Sequence, residues 1–393
     1  MRDLVRLIES ATPPGRDRAL DALRALAILG VVLGHWLVTA LIADSGTVRG
    51  ASPLTHLPEF TPVSWVFQTL AVFFLVGGLV AARGHAASRA RHESYRHWLG
   101  ARLGRLFRPV AAVLVVWTVV ALAMLAGGVP WQTVHTLGKL VLSPLWFLLV
   151  FAALTAATPL VARVHPLWPL AVVLHVDLIR FGLDGPGWVD RLGWINVAAG
   201  WLVPYCLGAA WSRNGLKDRR TGWVLLIGGV ATTALLVLFA GYPAAMVGVP
   251  GAPVSNLNPP TLAAVTFGLA QCGAALLLLD PLRRVLRRPA AWAAVAVLNL
   301  GAMTVFLWHQ TAMIAVTATG LLAGELLGHG AFLGLHSVPD GYGWVLARVA
   351  WLPLFAAALL VCCAAFRTYE KGGRPAQAPR DRRPAERKEA RRA

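Results

Sequence analysis

The chain has 393 residues, of which 57% are hydrophobic and only 14% are charged. Ordinary soluble domains contain about 45–50% apolar and about 25% charged residues, so the composition excludes a typical water-soluble protein. The net charge of +18 comes from arginines and lysines that gather between long apolar runs and in the C-terminal tail. That distribution is typical of membrane topology signals and argues against nucleic-acid binding.

The apolar runs predict an all-α, polytopic bundle of about ten transmembrane helices. Apolar runs of roughly 18 or more residues recur along the chain, each enough to cross a hydrocarbon core about 30 Å thick, and lipid leaves no partner for unpaired backbone groups. The predicted spans are, in chain order, 20–43, 62–82, 109–128, 143–162, 166–180, 193–212, 222–242, 260–280, 296–318 and 344–366. Basic residues before an apolar run also fit a cleaved signal peptide, but charge inside the run and nine later spans favour a retained helix.

The charges between the spans predict the orientation. Segments on one side carry 30 of the 36 lysines and arginines, and segments on the other side carry four. Both termini are therefore predicted to be cytoplasmic, in a protein of the plasma membrane that contacts anionic lipid. The chain divides into a cytoplasmic segment at 1–18, a membrane domain at 19–366 and a basic tail at 367–393, which is too polar to fold alone.

Segments between and beside the spans yield three further predictions. The stretch 243–260 is too rich in Gly and Pro for a helix and is expected to pack as a compact outer loop. Tryptophans and tyrosines near span ends, such as Trp65, Trp146, Trp201 and Tyr205, are expected in the interfacial belts rather than as platforms for a sugar ring. No Cys/His spacing is typical of a metal site, so none is predicted.

The first span carries the polar residues that say most about function: Asp21, Arg24 and His35. Arg24 and His35 are eleven residues apart, which puts them within about 20° on a helix and about 16 Å apart along its axis. Asp21 lies within about 60° of Arg24 and is expected to pair with it. With Arg24 at the inner interface, His35 lies near the bilayer midplane, where an ionisable group indicates function.

An imidazole at that depth has two chemical roles and one structural alternative. With an unperturbed pKa of about 6.5 it can take a proton from an acceptor hydroxyl as a general base, or attack an acyl donor directly. The alternative is a structural hydrogen bond between helices.

The segment 83–108 holds seven arginines against one acid, Glu93. Arg102, Arg105 and Arg108 recur every third residue at the start of the third predicted span, a stripe suited to holding phosphate through forked hydrogen bonds. Binding of lipid headgroups is the alternative.

Several ordered motifs resemble those of acyltransferase family 3. The first span opens with LDALRALAI, and its Arg is followed by ten residues and then a His, as in the family signature. Further matches are AVFFLVGGLVAAR at 71–83, ARLGRLFRP at 101–109, PLWFLLVF at 144–151 and LWHQ at 307–310. One departure is Val76-Gly77-Gly78, where the family often has a serine before the glycine, so a hydroxyl role there has no support.

The resemblance implies a multi-pass membrane enzyme that moves acyl groups, commonly acetyl, from a coenzyme A donor to sugars and other hydroxylated acceptors. Arg102 and Arg105 match the family's Arg-x-x-Arg motif, which is associated with the donor, and Arg83 and Arg108 flank it. Acyl-CoA is expected as a donor substrate, with its nucleotide near these arginines and Arg24 and its pantetheine arm reaching toward His35. No permanently bound cofactor is expected.

Acceptor residues are less defined. His309 in LWHQ is a candidate acceptor ligand or a structural partner. In the outer loop, Ser255, Asn256 and Asn258 are candidate acceptor contacts, although turn stabilisation explains them nearly as well.

A transporter or flippase is the alternative function, because charged groups at mid-depth also mark substrate and proton pathways. The chain lacks the internal duplication and paired broken helices of many transporters. A purely structural scaffold does not explain the imidazole. The sequence therefore favours an O-acyltransferase acting on a carbohydrate, a glycolipid or a secondary metabolite.

Overall fold

The computed structural model describes residues 2–182, 188–214, 216, 218–328 and 331–370. Within these ranges the chain forms sixteen α-helices and one two-stranded hairpin. The helices are α1 (Arg2–Ser10), α2 (Arg18–Val38), α3 (Thr61–Ser64), α4 (Leu70–Ala90), α5 (Tyr95–Ala126), α6 (Trp131–Leu142), α7 (Leu145–Ala156), α8 (Thr158–Val161), α9 (Leu167–Gly182), α10 (Trp188–Leu192), α11 (Ile195–Asn214), α12 (Arg219–Phe239), α13 (Leu262–Val285), α14 (Pro289–Leu300), α15 (Ala302–Leu326) and α16 (Tyr342–Glu370).

Nine segments of the described chain are long and apolar enough to cross a membrane, which confirms the all-α polytopic bundle. They are Arg18–Val38, Pro58–Ala90, Tyr95–Ala126, Trp131–Ala156, Trp188–Arg213, Arg219–Phe239, Leu262–Val285, Ala302–Leu326 and Tyr342–Tyr369. The predicted span at 166–180 corresponds to α9, whose 16 residues are short for a crossing of about 30 Å.

The first predicted span, 20–43, extends too far. The helix ends at Val38, and the chain turns into β1 (Ala40–Asp44), which pairs antiparallel with β2 (Thr47–Ala51). Ser45 and Gly46 both have positive φ, as a two-residue hairpin turn requires. Leu41 and Ile42 are buried in the strand, so their hydrophobicity resembled a continuation of the helix.

Two other predicted spans are interrupted, and the last helix runs further than expected. The span at 296–318 is divided at Gly301 between α14 and α15, and the span at 143–162 is divided between α7 and α8. α16 continues to Glu370, so the first four residues of the predicted tail are helical. The remainder, 371–393, lies outside the described residues.

Small residues allow the central helices to approach closely. A Cβ on Gly78 of α4 would overlap the carbonyl of Tyr205 in α11, and a Cβ on Gly208 of α11 would overlap the carbonyl of Leu75 in α4. Such small-residue contacts are a common way for membrane helices to pack. Close packing of α4 against α11 thus explains the glycine at position 78.

α2 packs against several other helices, and its direction relative to α4 shows which helix ends lie together. Thr69, the N-cap of α4, donates a hydrogen bond of 2.6 Å to the carbonyl of Ala27 in the middle of α2. Leu79, further along α4, belongs to the same hydrophobic cluster as Leu20 at the start of α2. α4 therefore runs antiparallel to α2, and its last turns lie beside the amino-terminal end of α2.

The stretch 243–260 contains no helix, as predicted, and is fastened to the bundle. Asp177 of α9 is 1% exposed, and its carboxylate accepts hydrogen bonds from Asn196, from Tyr242 and from the backbone of Leu262. These residues lie on both sides of the stretch, so α9 anchors the loop although it is a short helix.

We predict that Gly208→Ala lowers the free energy of unfolding by about 1–3 kcal/mol, because the added methyl group meets rigid backbone. Gly100→Ala in α5 is the matched control, since a Cβ there meets nothing within 4 Å. Thermal unfolding of both variants in detergent measures the difference. Equal melting temperatures for the two variants would contradict this account of the α4–α11 contact.

Candidate functional site

Two histidines from different helices meet in the middle of the bundle. Nδ1 of His35 on α2 lies 2.7 Å from Nε2 of His309 on α15. The rings are nearly parallel, with centroids 4.9 Å apart and an interplanar angle of 9°. His309 is fully buried, whereas His35 is half-buried. The two residues that the sequence proposed separately thus form one unit.

The hydrogen bonds of this pair determine which nitrogen carries a proton. Nδ1 of His309 lies 2.6 Å from the carbonyl oxygen of Phe306. Because a carbonyl only accepts, this Nδ1 carries hydrogen, and Nε2 of a neutral His309 is then an acceptor. His35 must therefore donate from its own Nδ1. The lone pair of a neutral His35 consequently lies on Nε2, which has no hydrogen bond within the described part of the chain.

Backbone contacts on both sides hold the pair in place. The indole N–H of Trp36, the residue after His35, donates a hydrogen bond of 2.9 Å to the carbonyl of His309. The carbonyl of Trp36 in turn accepts one of 2.6 Å from Nε of Arg348 on α16. Three helices thus converge on the residues next to the two imidazoles.

Arg348 is a buried cation that sequence reasoning missed. It is 1% exposed, and it also donates to the carbonyls of Thr39 at 2.6 Å and Gly334 at 3.0 Å. Among the described residues it forms no ion pair with a carboxylate. Its charge lies against the carboxyl end of α2, where the helix dipole favours a cation. The sequence did contain a signal for this residue, because Arg348 lies inside the predicted span 344–366, where a charged side chain indicates function.

Arg24 and Asp21 lie at the opposite end of α2. Nε of Arg24 donates a hydrogen bond of 2.6 Å to the side-chain oxygen of Asn299 on α14. The predicted pair of Arg24 with Asp21 is present at 3.7 Å, although Asp21 is closer to Arg16, at 2.6 Å. Arg24 thus faces α14, and His35 faces α15, the next helix along the chain.

A cavity of about 530 Å³ reaches His35 from the carboxyl-terminal end of α2. Its wall combines α2, the hairpin, α6, α7, α15 and the 243–260 loop. Polar groups in the wall come from His35, Thr39, Ser52, Gln68, His135, Thr136, Lys139, Ser143 and Gln310. No carboxylate lines this cavity among the described residues, and the two basic groups, Lys139 and His135, are exposed. The cavity offers space next to the imidazole for a hydroxylated molecule.

Arg102 lies at the other end of the bundle from this cavity. It donates a hydrogen bond of 3.0 Å to the carbonyl of Val80 and lies over the ring of Trp98, 5.1 Å from its centroid. Val80 is ten residues beyond Leu70, which lines the cavity, so Arg102 is about 15 Å away along α4 at 1.5 Å per residue. Arg24 and Arg102 therefore lie toward the same end.

The other predicted donor arginines, Arg83, Arg105 and Arg108, have exposed side chains. Arg105 donates to the carbonyl of Ala101 within its own helix at 3.1 Å. Arg105 and Arg108 follow Arg102 within two turns of α5, and Arg83 lies three residues beyond Val80 on α4. None of the three lines the cavity.

Aromatic residues fill the space between the cavity and Arg102. This aromatic partition consists of Phe73, Phe74, Phe147, Phe151, Trp201 and Tyr205. Trp201 stacks on Phe74 at 5.1 Å, and Tyr205 is fully buried with its hydroxyl 2.9 Å from that of Thr158. The expectation that Trp201 and Tyr205 belong to interfacial belts was wrong, because core packing overrides the preference of these rings for the membrane interface.

The candidate acceptor residues of the 243–260 loop are not in the cavity wall. Asn256 is fully buried, and its amide donates to the carbonyls of Pro243 and Ala245 while its oxygen accepts from Thr261. Ser255 accepts from the backbone of Leu257. These contacts favour turn stabilisation for Ser255 and Asn256, and Asn258 likewise lies outside the wall.

The arrangement provides an oriented base beside a cavity, with basic groups at the far end of the same helices. The family whose model is described as an acyltransferase domain, that of acyltransferase family 3, matches residues 17–367. No curated protein and no solved structure matches the chain. The matched region starts at Asp17, the N-cap of α2, and ends within α16. It thus contains the whole bundle that surrounds His35, and the chain belongs to acyltransferase family 3 as a multi-pass membrane acyltransferase.

Proposed function

We propose that the protein is an O-acyltransferase that moves an acyl group, most simply acetyl, from acyl-CoA to a hydroxyl of a carbohydrate, a glycolipid or a secondary metabolite. The observation that carries this proposal is Nε2 of His35, which is unpaired in the described chain and belongs to a residue of the cavity wall. A hydroxyl beside it would lose its proton to this nitrogen as the oxygen attacks the thioester.

His309 makes His35 a better base in this mechanism. With the proton of His309 directed at the Phe306 carbonyl, its Nε2 accepts the Nδ1–H of His35, which holds the ring orientation and keeps the lone pair on the far nitrogen. The carbonyl of Phe306 holds His309 in turn. When His35 takes up a proton, this chain of hydrogen bonds stabilises the positive charge. His309 thus acts like the third group that orients the base in other nucleophile–base arrangements.

The donor enters from the Arg24 end in this proposal, which we assign to the cytoplasm of a plasma-membrane protein with both termini inside. The guanidinium groups of Arg24, Arg102 and Arg105 would bind the phosphates of coenzyme A, with Arg83 and Arg108 adding positive potential. The pantetheine arm would then pass the aromatic partition to His35. The acceptor reaches the same imidazole through the cavity, next to the lipid that surrounds the bundle.

The direct test is transfer of labelled acetyl from acetyl-CoA to a panel of hydroxylated acceptors, including octyl glucoside as a glycolipid mimic. We expect His35→Ala to lower kcat by about 10²–10⁴-fold, the usual contribution of a general base. His175→Ala is the matched control, because His175 is an exposed histidine of α9 that bonds only to its own helix. Transfer at the wild-type rate by His35→Ala would refute the mechanism.

For the donor side, we expect Arg102→Gln to raise the KM for acetyl-CoA at least tenfold with a smaller change in the KM for the acceptor, because a charge-assisted phosphate contact is lost. Arg219→Gln, an exposed arginine at the start of α12 near the same end, is the control. Saturation curves for each substrate separate the two constants. An unchanged donor curve would remove Arg102 from the donor site.

For the positioning role of His309, we expect His309→Ala to lower kcat by about 10–100-fold while His35 remains in place, a loss similar to that of a metal-binding histidine deprived of the group that orients its ring. The KM for acetyl-CoA should change little. Steady-state kinetics together with thermal unfolding distinguish lost orientation from lost folding. A stable variant with full kcat would show that the pair is only a contact between helices.

A further inference from the structure

Gln310 has an unsatisfied side chain at the heart of the bundle. It is 1% exposed, and its Oε1 is buried without a hydrogen-bond partner among the residues that the structure describes. No hydrogen bond to its side-chain nitrogen occurs within the described ranges either. An unmet buried polar group costs about 1–3 kcal/mol, so an apolar residue would be more stable at this position unless a ligand completes its hydrogen bonds.

The side chain of Gln310 lines the cavity, so a molecule in the cavity can complete its hydrogen bonds. Gln310 and Phe306 are one helical turn apart on α15, and both line the cavity. His309 lies about 100° away around the helix and faces α2. α15 thus directs one side chain at the imidazole of His35 and the next at the space where His35 would act.

Neighbouring groups do not satisfy the carboxamide. The cavity wall does carry other polar side chains, such as those of His35, Gln68 and Ser143, but within the described residues none of them forms a hydrogen bond with Oε1 of Gln310. A half-turn about the last side-chain torsion exchanges the oxygen and the nitrogen with no change of shape, so the group can offer either an acceptor or an N–H donor to a ligand.

Acyl transfer requires such a donor. When a hydroxyl oxygen attacks a thioester, the carbonyl oxygen becomes an oxyanion, and fixed N–H groups in a water-poor site stabilise it strongly. We propose that Gln310 is a catalytic residue whose side-chain N–H binds the carbonyl oxygen of the acyl group during transfer. This inference rests on the proposed acyl-CoA chemistry and deepens it.

In the resulting step, His35 Nε2 takes the proton of the acceptor hydroxyl while the hydroxyl oxygen bonds to the carbonyl carbon of the thioester. The carbonyl oxygen takes up the negative charge and is held by Gln310. The carbonyl then re-forms as the carbon–sulfur bond breaks, and the proton on His35 passes to the departing thiolate of coenzyme A. The products are the ester and free coenzyme A.

The test compares acetyl-CoA with its dithioester analogue, in which sulfur replaces the carbonyl oxygen and accepts hydrogen bonds poorly. Wild type and Gln310→Met are assayed with octyl glucoside as acceptor. Gln310→Met keeps the length of the side chain without its polar atoms. Gln132→Met, an exposed glutamine of α6 outside the cavity wall, is the control.

We expect Gln310→Met to lower kcat for acetyl-CoA by about 10²-fold or more, the usual effect of removing an oxyanion donor, with little change in either KM. With the dithioester, wild type and Gln310→Met should differ less than fivefold, because the hydrogen bond is already absent. The melting temperature of Gln310→Met should stay at or above that of wild type, because the variant buries no unmet polar group.

An equal loss of kcat on both donors would overturn the inference and assign Gln310 a structural role. A rise in the acceptor KM with unchanged kcat would also overturn it, in favour of an acceptor contact. Absence of transfer from acetyl-CoA by the wild-type protein would instead refute the proposed function itself. These outcomes separate failure of the inference from failure of the function on which it rests.

Discussion

The site depends on the hydrogen bond between Nδ1 of His35 and Nε2 of His309. It joins two helices that are far apart in sequence, and it leaves only one nitrogen of His35 available for chemistry. Polar groups inside a membrane protein are costly unless they find partners, so this bond also explains how two imidazoles are tolerated in an apolar bundle. The Phe306 carbonyl completes the chain on the far side and gives it a direction.

Arg348, at the carboxyl end of α2, is likewise a buried polar side chain that is held by hydrogen bonds. Its guanidinium binds backbone carbonyls at the point where the helix stops and the hairpin begins. This contact fixes the residue next to His35 and the strand that forms part of the cavity wall. A buried cation therefore organises both the imidazole of His35 and the space beside it, and it does so through backbone carbonyls.

The bundle has two chemically different ends joined by α2. Arg24 and Arg102 lie toward one end, and the cavity opens at the other, with His35 between them. The spacing of eleven residues has a simple geometric meaning, since it returns to nearly the same face after about three turns. That face contacts α14 through Asn299 and α15 through His309. The aromatic partition, which includes Trp201 and Tyr205, separates the two ends in this structure.

The sequence by itself determined the class of the fold, the approximate spans and the shared face of Arg24 and His35, because hydropathy and helical periodicity are local properties. It also identified the family through motifs that the matched region contains. It did not determine where α2 stops, because apolar strand residues such as Leu41 have the same hydropathy as helical ones.

Only the tertiary structure decided which polar residues meet. It paired His35 with His309, left Gln310 unpaired at the cavity and assigned Asn256 to its own loop. It also placed Arg348 against carbonyls that come from distant parts of the chain. Hydrogen bonds between residues hundreds of positions apart depend on how the helices pack, and neither composition nor spacing along one helix contains that information.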